Sequence, residues 1–291
     1  MDAFLHDISW VVPLRTPLLT AVFEAFTLLG YTEFFLLFFP VGYWLWDKAM
    51  FTRLAILIGL IALTNSFLKD LFQDPRPLIE FSLDKRVGES FGLPSGHAQV
   101  ATATWLWLAY EIKRPWAWAA AAVIVTGVAL SRLYLGVHDV EDVLGGVLLG
   151  LAMIVIYRGL LSDEFRFWHD LNPELQLLGI AALAPLIWIA WPADVIPAGV
   201  FALVAFIFFW WFGRLIEMRW VNYERHESLW LAAVAAVAGV VILFALMKVT
   251  GDQLQAAGVP KALTMSLQFA LVSLYVTALA PAAFRLARLA W

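Results

Sequence analysis

Long apolar runs broken by short polar stretches fill this chain, and neither a period of two nor a clean amphipathic stripe dominates them. A helix crossing a bilayer needs about 20 mostly apolar residues. On that scale the pattern predicts nine spans, at about 31–46, 51–72, 97–112, 116–134, 139–160, 174–191, 195–216, 228–248 and 262–284. The stretch from Pro17 to Leu29 is also apolar, but it contains Glu24 and ends at Gly30. It is expected to be a helix lying in the interface, with extension of the first span as the alternative. The fold class is therefore all-α, a polytopic transmembrane helical bundle.

Composition agrees, with 63% hydrophobic and 14% charged residues against about 45–50% and 25% in soluble domains. A net charge of -4 gives no basic excess for a phosphate backbone, so nucleic acid is not an expected partner. The absence of cysteine excludes disulfides, thiolate metal sites and a cysteine nucleophile. The first residues, Met1 to Asp7, carry no basic n-region, so no cleavable signal is expected. Tyr43, Trp44 and Trp46, like Trp188 and Trp191, lie near predicted span ends and are expected to be interfacial anchors. Nine spans sort the Lys and Arg residues 11 against 8. With Lys69, Arg76 and Arg132 set aside as site residues, the bias puts the C-terminus in the cytoplasm and the loops after spans two and four outside.

Those two outward loops and the starts of the spans after them hold the unusual polar residues. Lys69 sits on the last turn of span two, and the prolines around Arg76 in Asp74-Pro75-Arg76-Pro77 fix a turn that lets both cations converge on one anion. Pro94-Ser95-Gly96-His97 opens span three: Ser95 reads as an N-cap, Gly96 permits close approach, and the free N–H groups favour a phosphate. In the third segment, Ser131-Arg132 precedes His138, and Asp142 lies four residues on, above it on a helix face. A carboxylate there can hold one ring nitrogen and leave the other free to attack. Glu141 is a rival orienter, whereas Asp139 points away. Gly146 and Gly150 continue the stripe and predict close helix packing. The ensemble is a phosphate pocket with a nucleophile and an acid. Two His and one Asp could bind zinc, but three adjacent cations would repel a dication, so no metal and no cofactor is expected.

These three segments resemble the motifs of the type 2 phosphatidic acid phosphatase superfamily. The motifs are a Lys and an Arg-Pro with six residues between, then Pro-Ser-Gly-His, then Ser-Arg and a His with five residues between and an Asp four beyond. All are intact here as Lys69 with Arg76-Pro77, Pro94 to His97, and Ser131-Arg132 with His138 and Asp142. The resemblance implies that His138 attacks phosphorus to form a phosphohistidine and that Asp142 fixes its tautomer. It implies that His97 protonates the leaving alcohol and then activates water. Lys69, Arg76, Arg132, Ser95 and the Gly96 N–H would hold the phosphoryl oxygens, without a metal. The run Ser131 to His138 and the segment Glu33 to Pro40 look most like sphingosine-1-phosphate and long-chain-base phosphatases, although those usually carry Thr or Ser where this chain has Gly96.

The implied function is an integral membrane phosphatase acting on a lipid phosphate monoester or diphosphate. A lipid phosphotransferase, a glucose-6-phosphatase-like enzyme on a soluble ester, and a lipid transport or binding protein are the alternatives. Residues 1–165 are expected to form the catalytic membrane core and 166–291 a four-span extension that shapes substrate entry, stabilises the core or mediates homodimerisation. The expected location is a bacterial inner membrane, with the site facing the periplasm. The loop from Leu78 to Leu93, with Glu80, Asp84, Lys85, Arg86 and Glu89, is expected to set head-group preference.

Overall fold

A computed structural model of the chain describes residues 5–87, 90–163 and 166–289, with the side chains of Arg166 and His169 left aside. Met1 to Phe4 and Glu89, part of the expectations above, lie outside the described residues. Among those described, the regular elements are all helical. The longer ones are α1 (Pro17–Leu28), α2 (Thr32–Leu45), α3 (Lys48–Phe72), α4 (Gly96–Ile112), α5 (Pro115–Tyr134), α6 (Val140–Leu160), α7 (Pro173–Ala190), α8 (Ala198–Val221), α9 (Leu229–Ala256) and α10 (Lys261–Leu286).

The protein is an integral, multi-pass membrane protein. Among the described residues seven helices, α3 and α5 to α10, are long and apolar enough to cross a membrane, and the number is eight if the pair α1 and α2, bent by 54°, counts as one span. The nine spans read from the sequence differ at two places. One is α4, which has 17 residues because it starts only at Gly96. The other is α2, which has 14 residues and reaches span length only together with α1. α1 begins where Thr16 accepts a hydrogen bond from the Leu19 N–H with Pro17 in the first turn. It runs antiparallel along α5: the Thr20 hydroxyl lies 3.1 Å from that of Tyr134, and Phe26 covers Gly127, where a Cβ would come within 2.3 Å of the ring.

The chain forms two compact units, Met1–Phe35 with Ile61–Glu164, and Leu36–Leu60 with Phe165–Trp291. Leu36–Leu60, early in sequence, thus belongs with the C-terminal residues. In the first unit α4 and α6 pack backbone to backbone. A Cβ at Gly146 would lie 2.5 Å from the Ser95 carbonyl, and one at Gly150 2.8 Å from the Gln99 carbonyl, so the small-residue stripe lets the start of α4 sit on α6.

The second unit is built on aromatic packing, and two expected surface anchors lie inside it. Tyr43 and Trp44 are each 1% exposed, whereas Trp46 and Trp188 are exposed. The cause lies in α10. Pro281 has no N–H for the carbonyl of Thr277 four residues earlier, the helix widens to a π turn over Tyr275–Leu279, and the loosened carbonyls take side-chain donors. Tyr43 donates to Thr277 O at 3.3 Å and Trp44 Nε1 to Val276 O at 2.8 Å. Glu217, buried in the π turn that ends α8, accepts from Lys48 at 2.7 Å, from Arg214, and from the Tyr223 N–H at 2.9 Å. Glu217→Ala removes the carboxylate that both cations and the Tyr223 N–H share, so it is expected to destabilise the protein by about 3 kcal/mol, read as a lower Tm in detergent.

Candidate active site

The centre of the first unit's polar cluster is set by the way α6 starts. Asp139 caps the helix by accepting from the Asp142 N–H at 3.0 Å, and the Asp142 carboxylate accepts in return from the Asp139 N–H at 3.3 Å. This reciprocal pair fixes the Asp142 carboxylate beside His138, which precedes the helix rather than lying on its face as expected, and whose Nδ1 lies 2.7 Å from Asp142 Oδ2. The other ring nitrogen, Nε2, lies 3.0 Å from Arg76 Nη1. A guanidinium can only donate, so Nε2 is the acceptor and the proton sits on Nδ1, donated to Asp142. Burial, and then the charges of Arg76, Lys69 and Arg132, hold the His138 pKa well below its usual value of 6.5. His138 is therefore a neutral imidazole with its lone pair on the cation side. Of the rival carboxylates, Glu141 turns away to His6 at 3.2 Å, and Asp139 is occupied as the cap.

The three cations reach this point from different elements. Lys69, on the last turn of α3, is buried and donates to the carbonyls of Phe91 and of Gly92, the latter at 2.8 Å. Arg76 donates to Ser90 O at 2.6 Å, to Ser90 Oγ at 2.9 Å and to Val137 O at 2.7 Å. Burial, and then the neighbouring Arg132 charge, lower its pKa to about 10, which still leaves it cationic at neutral pH. Arg132, on the last turn of α5, is 1% exposed. Its Nη1 donates to the Thr27 hydroxyl and, at 3.2 Å, to Asp84 Oδ2, while its buried Nε has no partner among the described residues.

The second motif lies at the N-terminus of α4. Ser95 occupies the N-cap position, but its side chain makes no capping bond. Its N–H instead donates to Asp142 O at 2.9 Å, tying α4 to α6, and its buried hydroxyl has no partner among the described residues. At Gly96 a Cβ would lie 3.1 Å from Asn65 Oδ1. Asn65 donates to Pro94 O at 3.1 Å and to Gln99 Oε1 at 2.8 Å, so it braces the turn and accounts for the glycine where Thr or Ser is usual in the resembling enzymes. The His97 ring meets Tyr31 edge-on at 4.5 Å, and its buried Nε2 is likewise unpartnered among the described residues. Gly30 is what admits this ring, since a Cβ there would come within 2.3 Å of His97 Cδ2.

The structure thus brings Lys69, Arg76, Ser95, Gly96, His97, Arg132, His138 and Asp142 to one end of the first unit's helices. It adds residues that the motifs did not contain. Asp84, from the loop before α4, is buried against Arg132 and accepts from the Tyr31 hydroxyl. Burial favours its neutral form, but the bonds from Tyr31 and the Arg86 N–H and the Arg132 charge outweigh it, and its pKa falls below the usual carboxylate value. Arg86 stacks over the Tyr31 ring at 3.9 Å. Asn65, one turn before Lys69 and polar in an apolar span, carried a sequence signal of its own; Thr27 and Tyr31 did not. Asp74, Asp139 and Asp142 place one carboxylate oxygen each within 4.8 Å of one another. With Asp139 engaged by His6 and by the helix start, Asp142 by His138, and Lys69 and Arg76 alongside, this trio is counterbalanced by cations of the protein itself.

Residues 50–166 match the PAP2 superfamily, and residues 201–291 match the transmembrane extension of PAP2 superfamily phosphatases. Phosphatidylglycerophosphatase B of Bacillus subtilis (strain 168) is 32% identical over 169 residues, which are 54% of this chain and 82% of that protein. Sphingosine-1-phosphate phosphatase 2 of Homo sapiens is 36% identical over 143 residues, which are 46% of this chain. The chain spans about a third of that human relative, 36% of its length. A crystal structure of a transmembrane PAP2 type phosphatidylglycerolphosphate phosphatase from Bacillus subtilis aligns at 29% identity with a TM-score of 0.46, covering 52% of this chain and 81% of that one. By the family matches and the Bacillus subtilis phosphatidylglycerophosphatase B relative, the chain belongs to the PAP2 superfamily.

Proposed function

We propose that the protein is a membrane phosphatase that hydrolyses the phosphate ester of a lipid through a phosphohistidine on His138. The observation that carries this reading is the neutral His138: Nδ1 held by Asp142 at 2.7 Å, and the Nε2 lone pair turned to Arg76 at 3.0 Å among three cations. In the first step that lone pair attacks phosphorus, the bond to the lipid oxygen breaks, and His97 gives the leaving oxygen a proton. In the second, His97 takes a proton from water, the water oxygen attacks phosphorus, and the electron pair returns to Nε2. Lys69, Arg76 and Arg132, with the Ser95 hydroxyl and the Gly96 N–H, hold the phosphoryl oxygens as charge shifts between them. Buried, unpartnered atoms on Ser95, His97 and Arg132 support these assignments, because buried polar groups otherwise find partners.

A lipid substrate is supported by the site's position, on helix ends of a multi-pass protein where a chain can lie between helices while its head group meets the cations. The relatives named above are phosphatases of phosphatidylglycerophosphate and sphingosine-1-phosphate. The Lys and Arg bias along the sequence supports an outward-facing site with the C-terminus in the cytoplasm, as expected for a bacterial inner membrane. Purified protein in detergent should release phosphate from one or more of phosphatidate, phosphatidylglycerophosphate, sphingosine-1-phosphate and undecaprenyl diphosphate, undiminished by EDTA. Turnover of glucose-6-phosphate alone, or loss of activity to EDTA, would contradict the proposal.

A further inference from the structure

One titratable side chain beside the site is unused by this mechanism. His6 lies in the segment before α1, with Nδ1 2.7 Å from Asp139 Oδ2 and Nε2 3.2 Å from Glu141 Oε2. We propose that His6 is a positioning residue: as an imidazolium it clamps Asp139 and Glu141 at the start of α6, and through the Asp139–Asp142 capping pair it holds the His138 dyad in place. The inference rests on the proposed phosphatase reading.

The chemistry of the contact favours the protonated ring. His6 Nδ1 is hydrogen-bonded to Asp139 and Nε2 approaches the Glu141 carboxylate at ion-pair distance, and since carboxylate oxygens only accept, an imidazolium with an N–H on each nitrogen suits both neighbours. From Asp139 the connection to the nucleophile is continuous. Its second oxygen accepts the Asp142 N–H at 3.0 Å, its own N–H reaches Asp142 Oδ2 at 3.3 Å, and that same oxygen holds His138 Nδ1 at 2.7 Å. Losing the clamp frees the cap that sets the Asp142 carboxylate, so the effect falls on orientation of the nucleophile and not on substrate binding.

The clamp is also placed to respond to protons. His138 is 2% exposed, whereas the His6 side chain is 48% exposed and borders a cavity of about 440 Å³. The charged groups facing His6 are Asp139 and Glu141 on α6, Asp74 and Arg76 on the turn after α3, and Asp7 beside it. The bond to Asp139, and then the charges of Asp139, Glu141 and Asp74, outweigh its slight burial and raise its pKa above 6.5. A raised histidine pKa means that the clamp is intact below that value and is released as pH rises through it.

The test compares wild type with His6→Gln and His6→Lys for kcat, KM and pH profile on the lipid substrate that wild type turns over fastest. His6→Gln is expected to lower kcat about tenfold below pH 6.5 with KM unchanged, and the deficit should close at alkaline pH as wild type loses its own clamp. His6→Lys, cationic until about pH 10, should recover most of the rate and lack that alkaline loss. Equal kcat and superimposed profiles in wild type and His6→Gln overturn the clamp, as does a His6→Lys variant no better than His6→Gln. A wild type inactive on every lipid phosphate sinks the phosphatase reading instead. The clamp is then judged by histidine NMR, where a His6 pKa unmoved by Asp139→Asn overturns it and a fall supports it.

Discussion

Replacing His138 with alanine is expected to lower the rate of phosphate release by at least about a thousandfold, with the protein still folded in detergent. The magnitude follows from what the side chain supplies. Its Nε2 is the one lone pair in the cluster positioned against Arg76 by a second hydrogen bond on the opposite nitrogen, and no other described side chain there combines a neutral nucleophile with a carboxylate orienter. His97→Ala should behave differently. With p-nitrophenyl phosphate, whose leaving group needs little help from an acid, phosphorylation of His138 should survive. The dephosphorylation half, which needs a base for water, should stall and let the phosphoenzyme accumulate. A His138→Ala variant that retains wild-type turnover would exclude the covalent mechanism.

The second large effect is expected at Arg132. Its guanidinium is 1% exposed and is shared between the Thr27 hydroxyl and Asp84 on one nitrogen, with Nε unpartnered among the described residues. Fixed donors of this kind, aimed at charge that develops in the transition state, carry about 100- to 1000-fold each, and arginines in phosphoryl transfer carry more. Arg132→Ala should therefore cost about a thousandfold in kcat/KM. Arg132→Lys should recover little, because an ammonium cannot hold Asp84 and Thr27 and still present a second planar donor. Asp84→Asn is the informative partner: it keeps the size of the group Arg132 touches but removes the charge, which separates the placement of Arg132 from its cation. An Arg132→Ala variant within tenfold of wild type would remove Arg132 from the phosphoryl-binding set.

The residues of the site that sequence made legible are those whose geometry is local. His138 and Asp142 are four residues apart in sequence, but His138 precedes α6, and what fixes the Asp142 carboxylate is the cap from Asp139, a side chain expected to point away. Lys69 and Arg132 each end a helix and His97 begins one, so the ends of the apolar runs put them at a common level. What sequence left hidden is tertiary. Tyr31, Thr27 and Gly30 enter the site because α1 runs along α5 and bends into α2, and Asp84 enters because its loop folds back to Arg132. Neither path has a periodic signature. Tyr43 and Trp44 misled for a related reason: an aromatic at a span end looks the same whether it meets lipid head groups or a carbonyl loosened by a proline on another helix. The span count shifted where elements are short, since α4 starts only at Gly96, where it forms the site, and α2 gains span length only with α1.

The central claim is that phosphate passes through His138, and it can be observed directly. Protein mixed with ³²P-labelled lipid phosphate and quenched in alkali within a single turnover should carry label that is stable to base, labile to acid and confined to the peptide containing His138. In His97→Ala with p-nitrophenyl [³²P]phosphate the label should approach one phosphate per chain. Turnover at the wild-type rate with no protein-bound label in either case, and label appearing only in inorganic phosphate, would mean direct attack by water and would contradict the account.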